Sequence, residues 1–154
     1  MAAMGADASR VNLPGQLSAA RAVVLLSPCR LDEAIAPVEV LLQEGLNVFS
    51  VDPAGRLTPG MLANTFGPRL TIGVHDLRTV DQAHWAVEQG ASFAFSLPRP
   101  EIAAVLADAR VPHLLAALTP VEVDAAWRSG AAGVQVVPAN AFGGGYATQL
   151  TALV

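Results

Sequence analysis

The chain has 154 residues, of which 53% are hydrophobic, 14% charged and 5% aromatic, with a formal net charge of −4. That is ample apolar material for one packed core, and the length points to a single domain. All nine basic residues are arginines, so no side-chain amine is present to form a Schiff base, and one large class of covalent chemistry is excluded.

Residues 1 to about 19 mix Ala, Gly, Ser and Pro without apolar periodicity and read as a mobile leader, which leaves residues 20–154 as the single domain. This N-terminus lacks the charged and apolar regions of a secretory signal, and no apolar run approaches the roughly 20 residues of a membrane helix. No membrane association is expected. Cys29, the single cysteine, has no intrachain partner, which fits a reducing, cytoplasmic setting. Arginines scattered singly through an acidic chain make no basic stripe, so nucleic acid is not an expected partner.

From about residue 20 onward, short apolar runs recur at Ala22 to Leu26, Leu46 to Val51, Leu70 to Val74, Ser92 to Phe95, His113 to Leu115 and Gly133 to Val137. Their spacing is what one buried strand, one helix and two short loops consume. Between them lie helical signatures. Leu31-Asp32-Glu33 opens a helix with acids in its first turn, carrying Ile35, Val38, Leu41 and Leu42 and stopping at Gly45. Thr58-Pro59 supplies an N-cap and a first-turn proline for a second, which Gly67-Pro68 ends. Thr79 with Gln82, and Thr119 with Glu122, read as capping boxes for helices ending at Gly90 and Gly130, and Pro98 to Asp108 supplies the helix between.

Six strand-then-helix units with continuously apolar strands imply a parallel sheet covered by helices. The phrases Gln89-Gly-Ala-Ser-Phe-Ala-Phe and Ser129-Gly-Ala-Ala-Gly-Val-Gln-Val share one template, which favours a barrel of equivalent units over an open doubly wound sheet. A complete barrel has eight units and at least about 200 residues. The expected fold is therefore α/β, a parallel (β/α) TIM-barrel-like arrangement, incomplete, with about six βα units. Such a sheet has two open edges, which should be covered by a second copy of the chain or by a partner chain.

The segment Gly133-Val-Gln-Val-Val-Pro-Ala-Asn-Ala-Phe-Gly-Gly-Gly resembles the Lys-Phe-Phe-Pro-Ala and following Gly-Gly of the 2-keto-3-deoxy-6-phosphogluconate (KDPG) and 4-hydroxy-2-oxoglutarate (KHG) aldolases. Leu31-Asp-Glu-Ala with Leu41-Leu-Gln-Glu-Gly-Leu-Asn-Val-Phe-Ser-Val resembles that family's first helix and second strand. Gln89-Gly-Ala-Ser-Phe-Ala-Phe-Ser resembles its fourth strand, and Val111-Pro-His-Leu-Leu with Thr119-Pro-Val-Glu its fifth strand and the helix after it. The resemblance runs collinearly over roughly residues 20 to 150. It implies two further βα units, bearing the glycine-rich phosphate loops, beyond residue 154.

The catalytic positions depart from the family. Gln135 stands where the resemblance puts the Schiff-base lysine, Ser50 where it puts the proton-transferring glutamate, and Ala54 where it puts the carboxylate-gripping arginine. The third-strand Gly-x-Gly-Thr becomes Gly73-Val74-His75-Asp76. The resemblance thus implies an aldolase-like, aldehyde-lyase scaffold without Schiff-base activity, with Ser96, Gln135 and Gly73 left to bind a small keto acid.

No cofactor is expected on this reading. The alternatives are a metal-dependent aldolase and a noncatalytic interaction or structural subunit. Asp52, His75 and Asp76 fall near the ends of the second and third strands, where barrels carry their chemistry, and one His with two carboxylates could hold a divalent metal that stabilises an enolate. Asp52-Pro-Ala-Gly is equally an ordinary turn, and Asp76 could simply bond loop backbone. His84 and Glu88 are spaced as a surface pair, His113 falls at the start of its strand, and Gly143-Gly144-Gly145 fits a tight strand-to-helix turn. Cys29 beside Arg30 reads as an inert thiol next to a solvated guanidinium.

Overall fold

The computed structural model describes residues 10–20 and 22–153. Six strands, β1 (Val24–Leu26), β2 (Val48–Val51), β3 (Thr71–Leu77), β4 (Ala94–Ser96), β5 (His113–Ala117) and β6 (Gly133–Val136), form one sheet in sequential order. Every neighbouring pair is parallel. The strands read as nearly continuous apolar runs because both faces of the sheet are covered: β2 is buried at all four positions. Among the described residues β1 and β6 are the edges, so the sheet is open.

Each strand is followed by a helix: α2 (Leu31–Gln43), α3 (Pro59–Phe66), α4 (Val80–Glu88), α5 (Pro100–Asp108), α6 (Pro120–Arg128) and α7 (Gly144–Leu150). The threonine caps form as the spacing predicts. The hydroxyls of Thr58, Thr79 and Thr119 accept from the backbone N–H three residues on, and Gln82 and Glu122 reach back to the cap N–H at 3.2 and 2.8 Å. Strand β3 runs three residues beyond the predicted Val74, which places His75 and Asp76 inside the strand.

Period-two alternation sorts the strand residues onto two faces. Phe49, Val51, Ile72, Val74 and Ala94 face outward and pack with Val38, Leu62, Ala83, Ala86, Ile102 and Leu106 of the covering helices in one core. Val48, Phe93, Phe95 and Leu114 face inward and form a second core with Leu13, Leu17 and Val23. Leu17 belongs to a short helix, α1 (Gly15–Ala19), that closes the lower end of the sheet. The expectation of a mobile leader through residue 19 is therefore corrected for residues 10–19; residues 1–9 lie outside the described residues. The guanidinium of Arg10 lies 3.5 Å from the ring centre of Trp127 and donates to the carbonyl oxygens of Trp127 and Ala131, while Thr71 hydrogen-bonds Gln16. An inward-facing apolar layer left open to water underneath would forfeit its burial, and Leu13 and Leu17 prevent that.

Two details of this packing are consequential. A Cβ on Gly73 would lie 2.4 Å from the ring of Phe93, so the inner core requires a residue without a side chain there. On the outer face His113 is buried, and its Nε2 has no hydrogen-bond partner among the described residues. Burial holds its imidazole below the usual pKa of 6.5, partly offset by the Val111 backbone carbonyl.

Gly73→Ala should lower stability by about 2–3 kcal/mol, and a double-mutant cycle with Phe93→Leu should show coupling of at least about 1 kcal/mol in urea melts. Because the folded-state pKa of His113 is depressed, its contribution is full above the unfolded value near 6.5 and is lost as pH falls below it. His113→Leu should accordingly raise Tm more at about pH 5.5 than at about pH 7.5, measured by circular dichroism.

Candidate functional site

The upper ends of the strands enclose a cavity of about 280 Å³, lined in part by Leu25, His75, Asp76, Phe95, Gln135 and Val137. The register explains the gathering. Ser50 pairs with Gly73 across β2 and β3, and His75 follows two residues later on the same inward face. Ala116 pairs with Gln135 across β5 and β6 and shares that face. The upper inner layer thus carries three polar side chains, Ser50, His75 and Gln135, above the apolar layer of Val48, Phe93 and Leu114.

Ser50 is fully buried, and its Oγ lies 2.8 Å from His75 Nδ1. A serine hydroxyl at that depth holds the imidazole in place. Burial pushes the His75 pKa below 6.5, opposed by the nearby carboxylates of Asp52 and Asp76 and by the Ser50 backbone carbonyl. Burial thus favours the uncharged form of the ring.

The two acids are engaged elsewhere. Asp76 has φ +61°, where the pairing of β3 with β4 shifts register. An aspartate tolerates this left-handed conformation better than most residues. Its Oδ1 and Oδ2 accept from Arg78 Nε and Nη2 at 2.9 and 2.7 Å, a two-pronged contact. Asp52 Oδ1 accepts from the Ala54 backbone N–H at 2.8 Å, an Asx turn over Pro53. Among the described residues no three His, Cys, Asp or Glu side chains are arranged to hold a metal. Asp52, His75 and Asp76 neighbour one another without forming a ligand set, because local backbone and Arg78 claim the carboxylates first.

The three residues assigned to substrate binding separate. Gln135 and Ser96 both line the cavity. Alternation places the Ser96 side chain on the helix-facing side with Ala94, and its buried Oγ is unpartnered among the described residues. Gly73 is corrected to a packing role: it lies beneath the ring of Phe93 and does not line the cavity. His84 is exposed on α4, as its helical spacing implies, and Gly143 at φ +75° makes the turn into α7. The contact between Ser50 and His75 was not anticipated; alternation along β2 and β3 was the signal that both face inward, and only the register brings them together.

No family model matches this chain, and no curated protein matches it. Solved structures do. "Native KDPGal structure" is 18% identical with a TM-score of 0.79, over 88% of this chain and 68% of that one. A 4-hydroxy-2-oxoglutarate/2-dehydro-3-deoxyphosphogluconate aldolase from TTHB1 is 27% identical with a TM-score of 0.67, over 78% of this chain and 60% of that one. The 2-keto-3-deoxy-6-phosphogluconate aldolase of Zymomonas mobilis ZM4, solved with 3-phosphoglycerate, is 19% identical with a TM-score of 0.71, over 84% of this chain and 63% of that one. The chain spans about two thirds of the length of these enzymes. Six parallel strands alternating with helices, in an open sheet that superposes on all three, give this chain the fold of the KDPG/KHG aldolases.

Proposed function

We propose that this chain is a KDPG/KHG-aldolase-like protein that has lost Schiff-base aldol chemistry and holds a small keto acid in the mouth of its sheet. One observation carries the reading. Gln135 lines the cavity at the position where the resemblance puts the reactive lysine, and the sequence contains no lysine to replace it. A carboxamide cannot condense with a ketone, but its N–H groups can donate to a carbonyl or carboxylate oxygen. The surrounding Leu25, Phe95 and Val137 supply apolar contact for a short carbon skeleton.

The open edges bear on partners. Leu25 on β1, Val137 just after β6 and Phe142 beyond it are exposed apolar side chains on or near the two edge strands. A second copy or a separate chain pairing with these edges would satisfy the free backbone groups and cover that surface. A cytoplasmic setting is part of this proposal, supported by the single Cys29.

The pure chain, supplied with KDPG or 4-hydroxy-2-oxoglutarate, should release no pyruvate with or without a chelator, while pyruvate should bind saturably in ligand-observed NMR. Borohydride with pyruvate should leave the mass of the protein unchanged and should add a reduced adduct to the Gln135→Lys variant. Release of pyruvate, or a trapped adduct on the unaltered chain, would overturn the loss of aldol chemistry. Light scattering at micromolar concentration should give a mass above that of one chain; a stable monomer would refute self-association through the edges.

A further inference from the structure

We propose that the Ser50–His75 pair makes the mouth a proton-transfer site, with His75 Nε2 taking a proton from the carbon beside the carbonyl of a small keto acid. This rests on the occupancy proposed above and adds a reaction to it.

The geometry supports this assignment in four respects. Ser50 Oγ lies 2.8 Å from Nδ1, which fixes the ring by one edge and leaves Nε2, on the other edge, for the cavity that His75 lines. Ser50 is fully buried, so its hydroxyl is out of reach of a ligand and acts through the ring, as a positioning residue. Proton transfer to Nε2 uses the tautomer in which Nδ1–H donates to Ser50 Oγ across the 2.8 Å contact, which leaves the lone pair on Nε2. The charged groups nearest the ring are diverted: Asp76 to Arg78, and Asp52 to the Ala54 backbone N–H, so neither carboxylate ties up Nε2 in a fixed ion pair. The other lining residues beside it, Leu25 from β1 and Phe95 from β4, are uncharged.

In the step itself the C–H bond next to the ketone breaks and its proton passes to Nε2. The bonding pair forms the carbon–carbon double bond of an enolate, and the oxygen charge is met by an N–H of Gln135. The imidazolium exchanges its proton with solvent, and reversal returns a solvent hydrogen to the carbon. Atoms and charge balance without a metal, a cofactor or a co-reactant. Gln135 is a weak electrophile beside an iminium, so the turnover expected is slow exchange and no carbon–carbon cleavage.

The test is deuterium uptake into the methyl group of pyruvate in heavy water, followed by proton NMR from about pH 5 to 8, with saturable pyruvate binding measured on the same samples. The unaltered chain should exchange above the buffer rate, with the rate rising with pH and levelling above a midpoint below 6.5. His75→Gln should keep pyruvate binding and lose at least about tenfold in rate. Ser50→Ala should bind equally and exchange more slowly with a displaced midpoint, and His84→Gln should match the unaltered chain. Saturable binding without exchange, or undiminished exchange in His75→Gln, would overturn this proposal and leave the occupancy standing. Absence of saturable binding would overturn both.

Discussion

The inner face of an open, curved sheet must be filled with side chains or it collapses onto water, and here a single large ring does most of the filling. Phe93 occupies the space above Gly73, stacks edge-on against Phe95 with ring centres 5.6 Å apart, and meets Val48 and Leu17 in the inner core. The ring separates the interior into two levels. Below it the surface is apolar and closed by α1; above it the strand ends carry Ser50, His75 and Gln135. Without a glycine at position 73 the ring would be displaced, and the level at which the polar residues begin would shift with it.

Above that floor, electrostatics decide which groups remain available. Carboxylates near a half-buried imidazole would ordinarily pair with it and raise its pKa, yet desolvation prevails at His75. Part of the reason is local. Asp76 is turned by the register shift toward Arg78, and Asp52 caps its own turn. The exposed Asp76–Arg78 contact adds little to stability, since such surface pairs contribute at most about 1 kcal/mol. Its effect is to occupy the carboxylate, while burial is what lowers the His75 pKa.

The scaffold and the polar mouth rest on different residues. The fold depends on the outer core between sheet and helices, on the threonine caps and on the inward aromatic pair, none of which is a catalytic group. Ser50 and Gln135, the strand positions where the resemblance puts glutamate and lysine, both keep regular strand pairing. The polar side chains at the mouth include the His75 imidazole, the Gln135 carboxamide and the Asp76 carboxylate, the last of them paired with Arg78.

The alternation of apolar runs with capped helices was legible in the sequence because strand burial and helix capping are local: Val48, Phe49 and Val51 are apolar whatever they contact, and Thr79 caps α4 through a residue three positions away. Composition alone revealed the absence of lysine. The role of Leu17 was not legible, since a five-residue helix gives no periodicity and its burial comes from strands 30 to 80 residues away in the chain. Nor could spacing show that His75 would meet Ser50 while Asp76 met Arg78, for that depends on strand register and on one residue's backbone angle. Sequence by itself determined the elements, their order and the absence of any lysine side chain. Only the tertiary structure decided which polar side chains share the mouth, because contact between residues 25 apart is fixed by how two strands align, and that alignment is set by packing across the whole sheet.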